Sequence, residues 1–98
     1  MTKTDLLLTN LLEGLSRAQL PIAKALQFGL DDGYPNRATR NREDITQAFY
    51  EAFAVFKVLL DDGTLPGLTD DQYVEVVLER KSFIKHMLRT RELNDDKN

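Results

Sequence analysis

The residues best suited to binding a ligand are basic side chains, which occur in two groups. One group lies in a segment rich in turn-forming residues and comprises Arg37, Arg40 and Arg42. The other recurs at steps of four and comprises Lys81, Lys85 and Arg89. Because lysine and arginine bind phosphate groups and carboxylates, either group predicts contact with a phosphorylated ligand or an acidic protein surface. A charged helix face that is merely solvated has the same spacing, and this alternative stays open.

Other kinds of chemistry have few residues available. The chain has no cysteine and a single histidine, His86, so a thiol nucleophile and a zinc site made of several cysteines or histidines are excluded. Three aspartate doublets, at 31–32, 61–62 and 70–71, lie at expected turns or helix starts, and none belongs to a recognisable calcium loop. These residues therefore predict no resident metal or cofactor.

Length and composition describe one small domain. The chain has 98 residues, of which 42% are hydrophobic and 30% charged, and its formal net charge is −3. This acidic balance disfavours nucleic-acid binding through bulk charge. We find neither a signal peptide nor an apolar stretch long enough for a membrane span, so a cytoplasmic protein without a membrane partner is expected.

The elements that must position the candidate residues are helices. Apolar residues recur at steps of three and four in three segments, which predicts helices over residues 4–28, 41–63 and 69–91. We expect Thr2 or Thr4 to cap the first helix, Asn41 the second, with Asp44 completing a capping box, and Thr69 the third. Gly29 and Gly63 are predicted helix stops, and Pro21 predicts a kink near residues 17–21.

The second predicted helix is apolar nearly all round. Its segment 52–60 contains one charged residue, Lys57, so the helix must be covered on more than one side. We therefore predict an all-α fold, a three-helix protomer with a long kinked first helix that dimerises into a four-helix-bundle core. The expected dimer contacts are Phe49, Phe53, Phe56 and Leu60. Residues 1–92 form a single helical domain in this interpretation, and residues 93–98 form a disordered tail.

Three motifs occur in an order that points to a known family. They are KALQFGLDDGYP at residues 24–35, NRE at residues 41–43 and FAVFKVLLDDG at residues 53–63. Together they resemble the MazG-like all-α nucleoside triphosphate pyrophosphohydrolases, over about residues 10–63. The resemblance implies Mg²⁺-dependent release of pyrophosphate from a nucleoside triphosphate. In that family a Glu-x-x-Glu pair and a Glu-x-x-Asp pair, each on one helix face, hold the metal.

The positions that match these ligand pairs have lost most of their carboxylates. They are Gly14 and Arg17 on the first helix and Ala48 and Glu51 on the second, with Glu13 one residue away. One or two carboxylates hold Mg²⁺ poorly unless phosphate supplies most of the ligands. We therefore expect Arg17 to replace the cation and to form an ion pair with Glu51. The alternative is that both side chains point into solvent.

Three interpretations of function follow. The first is a non-catalytic MazG-like protein without a cofactor, which acts by partner binding or nucleotide sequestration. The second is a Mg²⁺-dependent pyrophosphohydrolase with a displaced site that uses Glu13, Glu51 and carboxylates from another subunit. The third is an unrelated helical dimerisation module. The expected assembly is a homodimer, and the expected ligand is another protein or a nucleotide.

Overall fold

The computed structural model describes residues 1–96, which form three α-helices and no strand. Helix α1 spans Lys3–Phe28, α2 spans Asn41–Asp61 and α3 spans Asp70–Asp96. The predicted all-α class with three helices is confirmed. Within the described part of the chain, none of the helices is both long enough and apolar enough to span a membrane.

The chain divides into two units. In the first, Met1–Pro66, α1 and α2 pack against each other; the second begins at Gly67 and contains α3. Gly14 lies beside Ala52, while Gly29, at the end of α1, is hydrogen-bonded to Asn41, at the start of α2. The two helices of the first unit are therefore antiparallel and form a helical hairpin.

The core of this hairpin is made of few and mostly small side chains. Its buried apolar residues are Ala18, Ala52 and Leu59, of which Leu59 is completely buried. The helices approach closely at Gly14, where an added Cβ would lie 3.2 Å from both Cα and Cβ of Ala52. Small residues thus bring the two backbones together, and most large apolar side chains lie outside this contact.

Two of the predicted helix starts are confirmed. The Thr2 hydroxyl accepts a hydrogen bond from the Asp5 N–H at 3.1 Å, and the Asp5 carboxylate accepts one from the Thr2 N–H at 3.2 Å. Thr69 and Gln72 make the same reciprocal pair at the start of α3, at 3.2 Å and 2.9 Å. Each pair satisfies backbone donors that the first turn of a helix leaves without an intrahelical partner.

The residues predicted to cap the start of α2, Asn41 and Asp44, are wrong. Arg40 precedes the helix in an extended conformation, and its N–H donates to the Glu43 carboxylate at 3.1 Å. Asn41, the predicted cap, is the first helical residue; it is buried, and its side-chain Nδ2 donates to the Gly29 carbonyl at 2.9 Å. Asp44 accepts a hydrogen bond from the Thr39 hydroxyl at 2.7 Å instead of completing a capping box with Asn41.

The helix ends follow the predicted glycines. Gly29 has φ 102° and ψ 156°, outside the left-handed helical region, and its N–H donates to the Ala25 carbonyl at 2.8 Å. Gly63 has φ 79° and follows the last turn of α2. In the next turn, hydrogen bonds from the hydroxyl and backbone N–H of Thr64 lower the pKa of Asp62.

Two predictions about helix continuity have different outcomes. Pro21 lies inside α1, which continues to Phe28, and the predicted kink stays a prediction. Helix α3 extends to Asp96, beyond the predicted fraying point at Arg91 and into the predicted disordered tail, 93–98. The last two residues of that tail, 97–98, lie outside the described residues.

Candidate functional site

A cleft between α1 and α2 contains most of the residues that the family resemblance singles out. It has a volume of about 500 Å³. Its lining comes from the second half of α1, the connecting loop and the first half of α2: Ser16, Arg17, Leu20, Pro21, Lys24, Arg37, Asp44, Gln47, Ala48 and Glu51. Because the two helices are antiparallel, residues far apart in sequence meet here.

The structure brings together three of the four positions that match the metal-ligand pairs. Arg17, Ala48 and Glu51 line the cleft. Gly14 is buried against Ala52, and a side chain there has no room without displacing α2. Glu13 is exposed and does not contribute to the lining. The cleft therefore contains a cation and a methyl group where the resembled family has carboxylates, with Glu51 left as the acid.

The predicted ion pair between Arg17 and Glu51 is not formed. The ion pairs among the described side chains do not join these two residues, although both line the cleft. The Glu51 carboxylate accepts a hydrogen bond from Gln47 Nε2 at 3.0 Å, one helical turn away. Arg17 and Glu51 are both exposed, so water solvates each charge, and the structure agrees with the alternative that both side chains point into solvent.

The charges of the cleft are predominantly basic. Arg17, Lys24 and Arg37 oppose two carboxylates, Asp44 and Glu51. Arg37 Nη1 lies 3.6 Å from Asp44 Oδ2, so this pair is partly neutralised. Lys24 Nζ lies 4.4 Å from the centre of the Tyr34 ring, in cation–π geometry. Such a cleft favours an anion over a divalent cation.

A metal centre has too few ligands. Among the residues that the structure describes, no three histidine or acidic side chains come together in a group that can hold a metal ion. The displaced-site interpretation uses Glu13 and Glu51, but Glu51 lines the cleft and Glu13 does not. With at most two carboxylates in the cleft, the protein offers Mg²⁺ few oxygen ligands, and the phosphates of a substrate would have to supply most of the others.

The two predicted basic groups differ in their surroundings: two loop arginines form ion pairs, whereas the basic residues of α3 are exposed along the helix. In the loop group, Arg37 pairs with Asp44, and Arg42 Nε lies 2.7 Å from Asp31 Oδ1. Arg40 precedes α2 and lies outside the cleft lining. The other group, Lys81, Lys85 and Arg89, lies along α3 with all three side chains exposed. Arg37 and Arg42 thus form ion pairs near the connection between α1 and α2, and Arg37 also lines the cleft.

A second surface of the hairpin is apolar. A groove of about 380 Å³ is lined by Leu11, Leu15, Phe49, Ala52, Phe53 and Phe56. The rings of Phe53 and Phe56 are 6.4 Å apart between centres and are tilted by 46°. Three of the four predicted dimer contacts thus share one surface, whereas Leu60 is half-buried and does not line the groove.

Six of the ten cleft residues were not assigned to a site from the sequence, and Lys24, Asp44 and Gln47 are the ones among them that carry a charge or contact Glu51. A signal for them exists, since Lys24 follows Arg17 by seven residues, and Asp44 precedes Ala48 by four and Glu51 by seven. Residues seven apart lie on the same helix face two turns away. Extending the family positions by this spacing finds Lys24 and Asp44, whereas Gln47 is found only through its contact with Glu51.

Comparison of the chain with protein-family models, with curated proteins and with solved structures found no match. The MazG-like assignment therefore rests on the motifs at residues 24–35, 41–43 and 53–63. The function must be argued from the two surfaces themselves, because a helical fold alone does not specify an activity.

Proposed function

We propose that this chain is a non-catalytic helical protein of MazG-like architecture that acts by binding a protein partner, first of all a second copy of itself. The observation that carries the proposal is the exposure of the apolar groove on the α1–α2 hairpin. Phe49, Phe53 and Phe56 are 61%, 48% and 37% exposed, although they follow the spacing of a core-facing helix stripe.

Contact with a second hairpin would bury the apolar surface of this groove, which is more favourable than leaving that surface exposed to water. Phe side chains gain the most from burial of all the residues in the groove, and a contiguous aromatic patch on a small protein marks an interaction site. Two hairpins that meet through their grooves give four helices around one core, with the same patch used by both copies. The dimer contacts in this arrangement are Phe49, Phe53 and Phe56, flanked by Leu11 and Leu15.

The cleft on the other surface supports the non-catalytic part of the proposal. The positions expected to hold Mg²⁺ contain Gly14, Arg17 and Ala48 beside Glu51. An arginine repels a divalent cation, and Gly14 is closed off by Ala52. Of the four positions that match the family's metal ligands, Glu51 is the one that keeps a carboxylate, which argues against hydrolysis of a triphosphate by a metal-activated water.

The cleft also favours a second candidate, nucleotide sequestration. Arg17, Lys24 and Arg37 neutralise phosphate charge without a metal, and Tyr34 offers an aromatic ring next to Lys24. The protein would then hold a nucleotide and leave it intact. The third interpretation, a dimerisation module unrelated to the pyrophosphohydrolases, also explains the exposed groove. It differs from nucleotide sequestration because it predicts no ligand in the cleft.

The assembly proposal is tested by a pair of substitutions on opposite faces of α2. Phe53→Glu places a charge in the groove, and we expect it to convert the dimer to a monomer at micromolar concentration, because an unpaired charge in an apolar interface is costly. Val58→Glu is the matched control, since Val58 is 46% exposed and lies outside the groove. The masses are measured by light scattering, and equal masses for the two variants would contradict the proposal.

The non-catalytic proposal is tested by a turnover assay. The wild-type protein is incubated with standard and modified nucleoside triphosphates and Mg²⁺ or Mn²⁺, and pyrophosphate is measured. We expect no metal-dependent release; release that disappears in the Glu51→Ala variant would establish the enzyme alternative. Thermal-shift measurements with the same nucleotides test sequestration, which predicts a stabilisation by nucleotide that Arg17→Ala removes.

A further inference from the structure

Lys24 lies where two cavities of the α1–α2 hairpin adjoin. One is the basic cleft, and the other is a pocket of about 360 Å³ formed with the loop between the two helices. This second cavity, the loop pocket, is lined by Phe28, Asp32, Tyr34 and Asn41 among others. Since Lys24 lines both cavities, a ligand that extends from one to the other contacts its side chain.

The ammonium group of Lys24 has no anionic partner within the described part of the chain. Lys24 is half-buried, and its Nζ takes part in neither an ion pair nor a hydrogen bond with the residues described. It contacts the Tyr34 ring instead, whose centre lies 4.4 Å from Nζ. A ring face attracts a cation but does not replace the hydrogen bonds of an oxyanion. The donors of this half-buried cation therefore favour an anionic ligand.

The charges around Lys24 place that anion on the side of the cleft. Arg17 and Arg37 line the cleft, whereas Asp32 lines the loop pocket. Both carboxylates of the cleft already accept hydrogen bonds from the protein. The Asp32 carboxylate opposes a negative charge in the loop pocket. A ligand that occupies both cavities should therefore be negatively charged at one end only.

The loop pocket has a lining suited to a flat ring. Phe28 and Tyr34 are 61% and 57% exposed, and Pro35 adds a third ring to the lining. Aromatic side chains stabilise stacked planar rings of many kinds, because every such ring has a π face. A ring in this pocket would also cover apolar surface that is otherwise exposed to water.

Hydrogen bonds fix the loop that forms this pocket. The Asn41 N–H donates to the Asp32 carbonyl at 2.8 Å, and the Arg42 N–H donates to the Leu30 carbonyl at 3.0 Å. Arg42 Nε also lies 2.7 Å from Asp31 Oδ1. These contacts join the loop to the start of α2, so the pocket is largely formed before a ligand binds, and little ordering is required on binding.

We propose that Lys24 binds the oxyanion of a small molecule that carries one flat aromatic ring, with the oxyanion in the cleft and the ring in the loop pocket. The half-buried ammonium without an anionic partner, at the junction of the two cavities, carries the inference. The oxyanion is a phosphate monoester or a carboxylate, since an ammonium group binds either. The inference deepens nucleotide sequestration and rests on its claim that the cleft binds an anion without a metal. It does not depend on the apolar groove.

The ligand class is tested with two pairs of small molecules. The full-length protein is titrated at millimolar concentration with phenyl phosphate, inorganic phosphate, benzoate and acetate, and the amide shifts are recorded by NMR. We expect one or both ring compounds to bind at least about tenfold more tightly than the ringless counterpart, with shifts at Phe28 and Tyr34. The pair that shows the difference identifies the oxyanion. Equal affinities within both pairs, or no binding of either ring compound, would overturn the proposal.

The role of Lys24 is tested by Lys24→Gln, which removes the charge and keeps a polar side chain. We expect the affinity for the ring compound to fall at least about tenfold. Lys57→Gln is the matched control, because Lys57 lines neither cavity and pairs with Asp61 at 3.2 Å. Circular dichroism checks that both variants keep their helices. Equal affinities of a folded Lys24→Gln protein and the control would overturn the proposal.

The ring site is tested separately by Tyr34→Leu, which should abolish the preference for the ring compound over its ringless counterpart. Tyr50→Leu is the control, since Tyr50 is 67% exposed and lines neither cavity. A preference that persists in Tyr34→Leu would overturn the placement of the ring. Nucleotide stabilisation that Arg17→Ala removes, without any preference for a ring compound, would overturn this inference and leave sequestration standing. Failure of the nucleotides and of all four small molecules to bind would overturn both.

Discussion

Two buried residues, Gly14 and Asn41, hold the α1–α2 hairpin together in different ways. Gly14 allows close approach of the backbones, since even a Cβ there would lie only 3.2 Å from Ala52. Asn41 joins the end of one helix to the start of the next through its hydrogen bond to the Gly29 carbonyl. Neither contact depends on the large apolar side chains, which leaves those side chains available for a partner.

Gly14→Leu tests the close approach. A leucine side chain must push α2 away or adopt a strained rotamer, and we expect the free energy of unfolding to fall by about 1–3 kcal/mol. Gln19→Leu is the control, because Gln19 is exposed on the same helix and its replacement should change stability by less than about 0.5 kcal/mol. Urea unfolding at one fixed protein concentration measures both. Equal stability of the two variants would show that the helices do not touch at Gly14.

Asn41→Ala tests the polar link. The substitution leaves the Gly29 carbonyl without its side-chain donor in a partly buried place, and we expect a loss of about 1–3 kcal/mol in unfolding free energy. Asn10→Ala is a matched control: Asn10 also donates its Nδ2 to a backbone carbonyl, that of Leu6 at 3.0 Å, but on the exposed surface of α1. A loss no greater for Asn41→Ala than for Asn10→Ala would contradict the role given to Asn41.

At the scale of the helices, features that depend on residues close in sequence could be predicted, whereas features that depend on contacts between distant residues could not. The capping boxes at Thr2 and Thr69 use partners three residues away, so the sequence predicts them directly. Asn41 has the residue type of a cap, but its amide is satisfied by Gly29, twelve residues earlier. Arg17 and Glu51 line one cleft, as the family resemblance implies, but both are exposed to solvent and do not form the predicted ion pair.

For the molecule as a whole, the distribution of aromatic residues is decisive. All five Phe and all three Tyr side chains are more than a third exposed, and Leu59 is the one large apolar side chain that is completely buried among the described residues. Burial of apolar area is the main term that offsets the conformational entropy lost on folding. Under the proposed function, a partner covers these exposed aromatic residues and completes the core, so the stability of the protein should depend on its association.

The molar mass of the wild-type protein in solution tests this central claim most directly. Light scattering at micromolar concentration should give twice the chain mass of 11.2 kDa. A mass of 11.2 kDa across that concentration range, for a protein whose circular dichroism shows that its helices are folded, would contradict it.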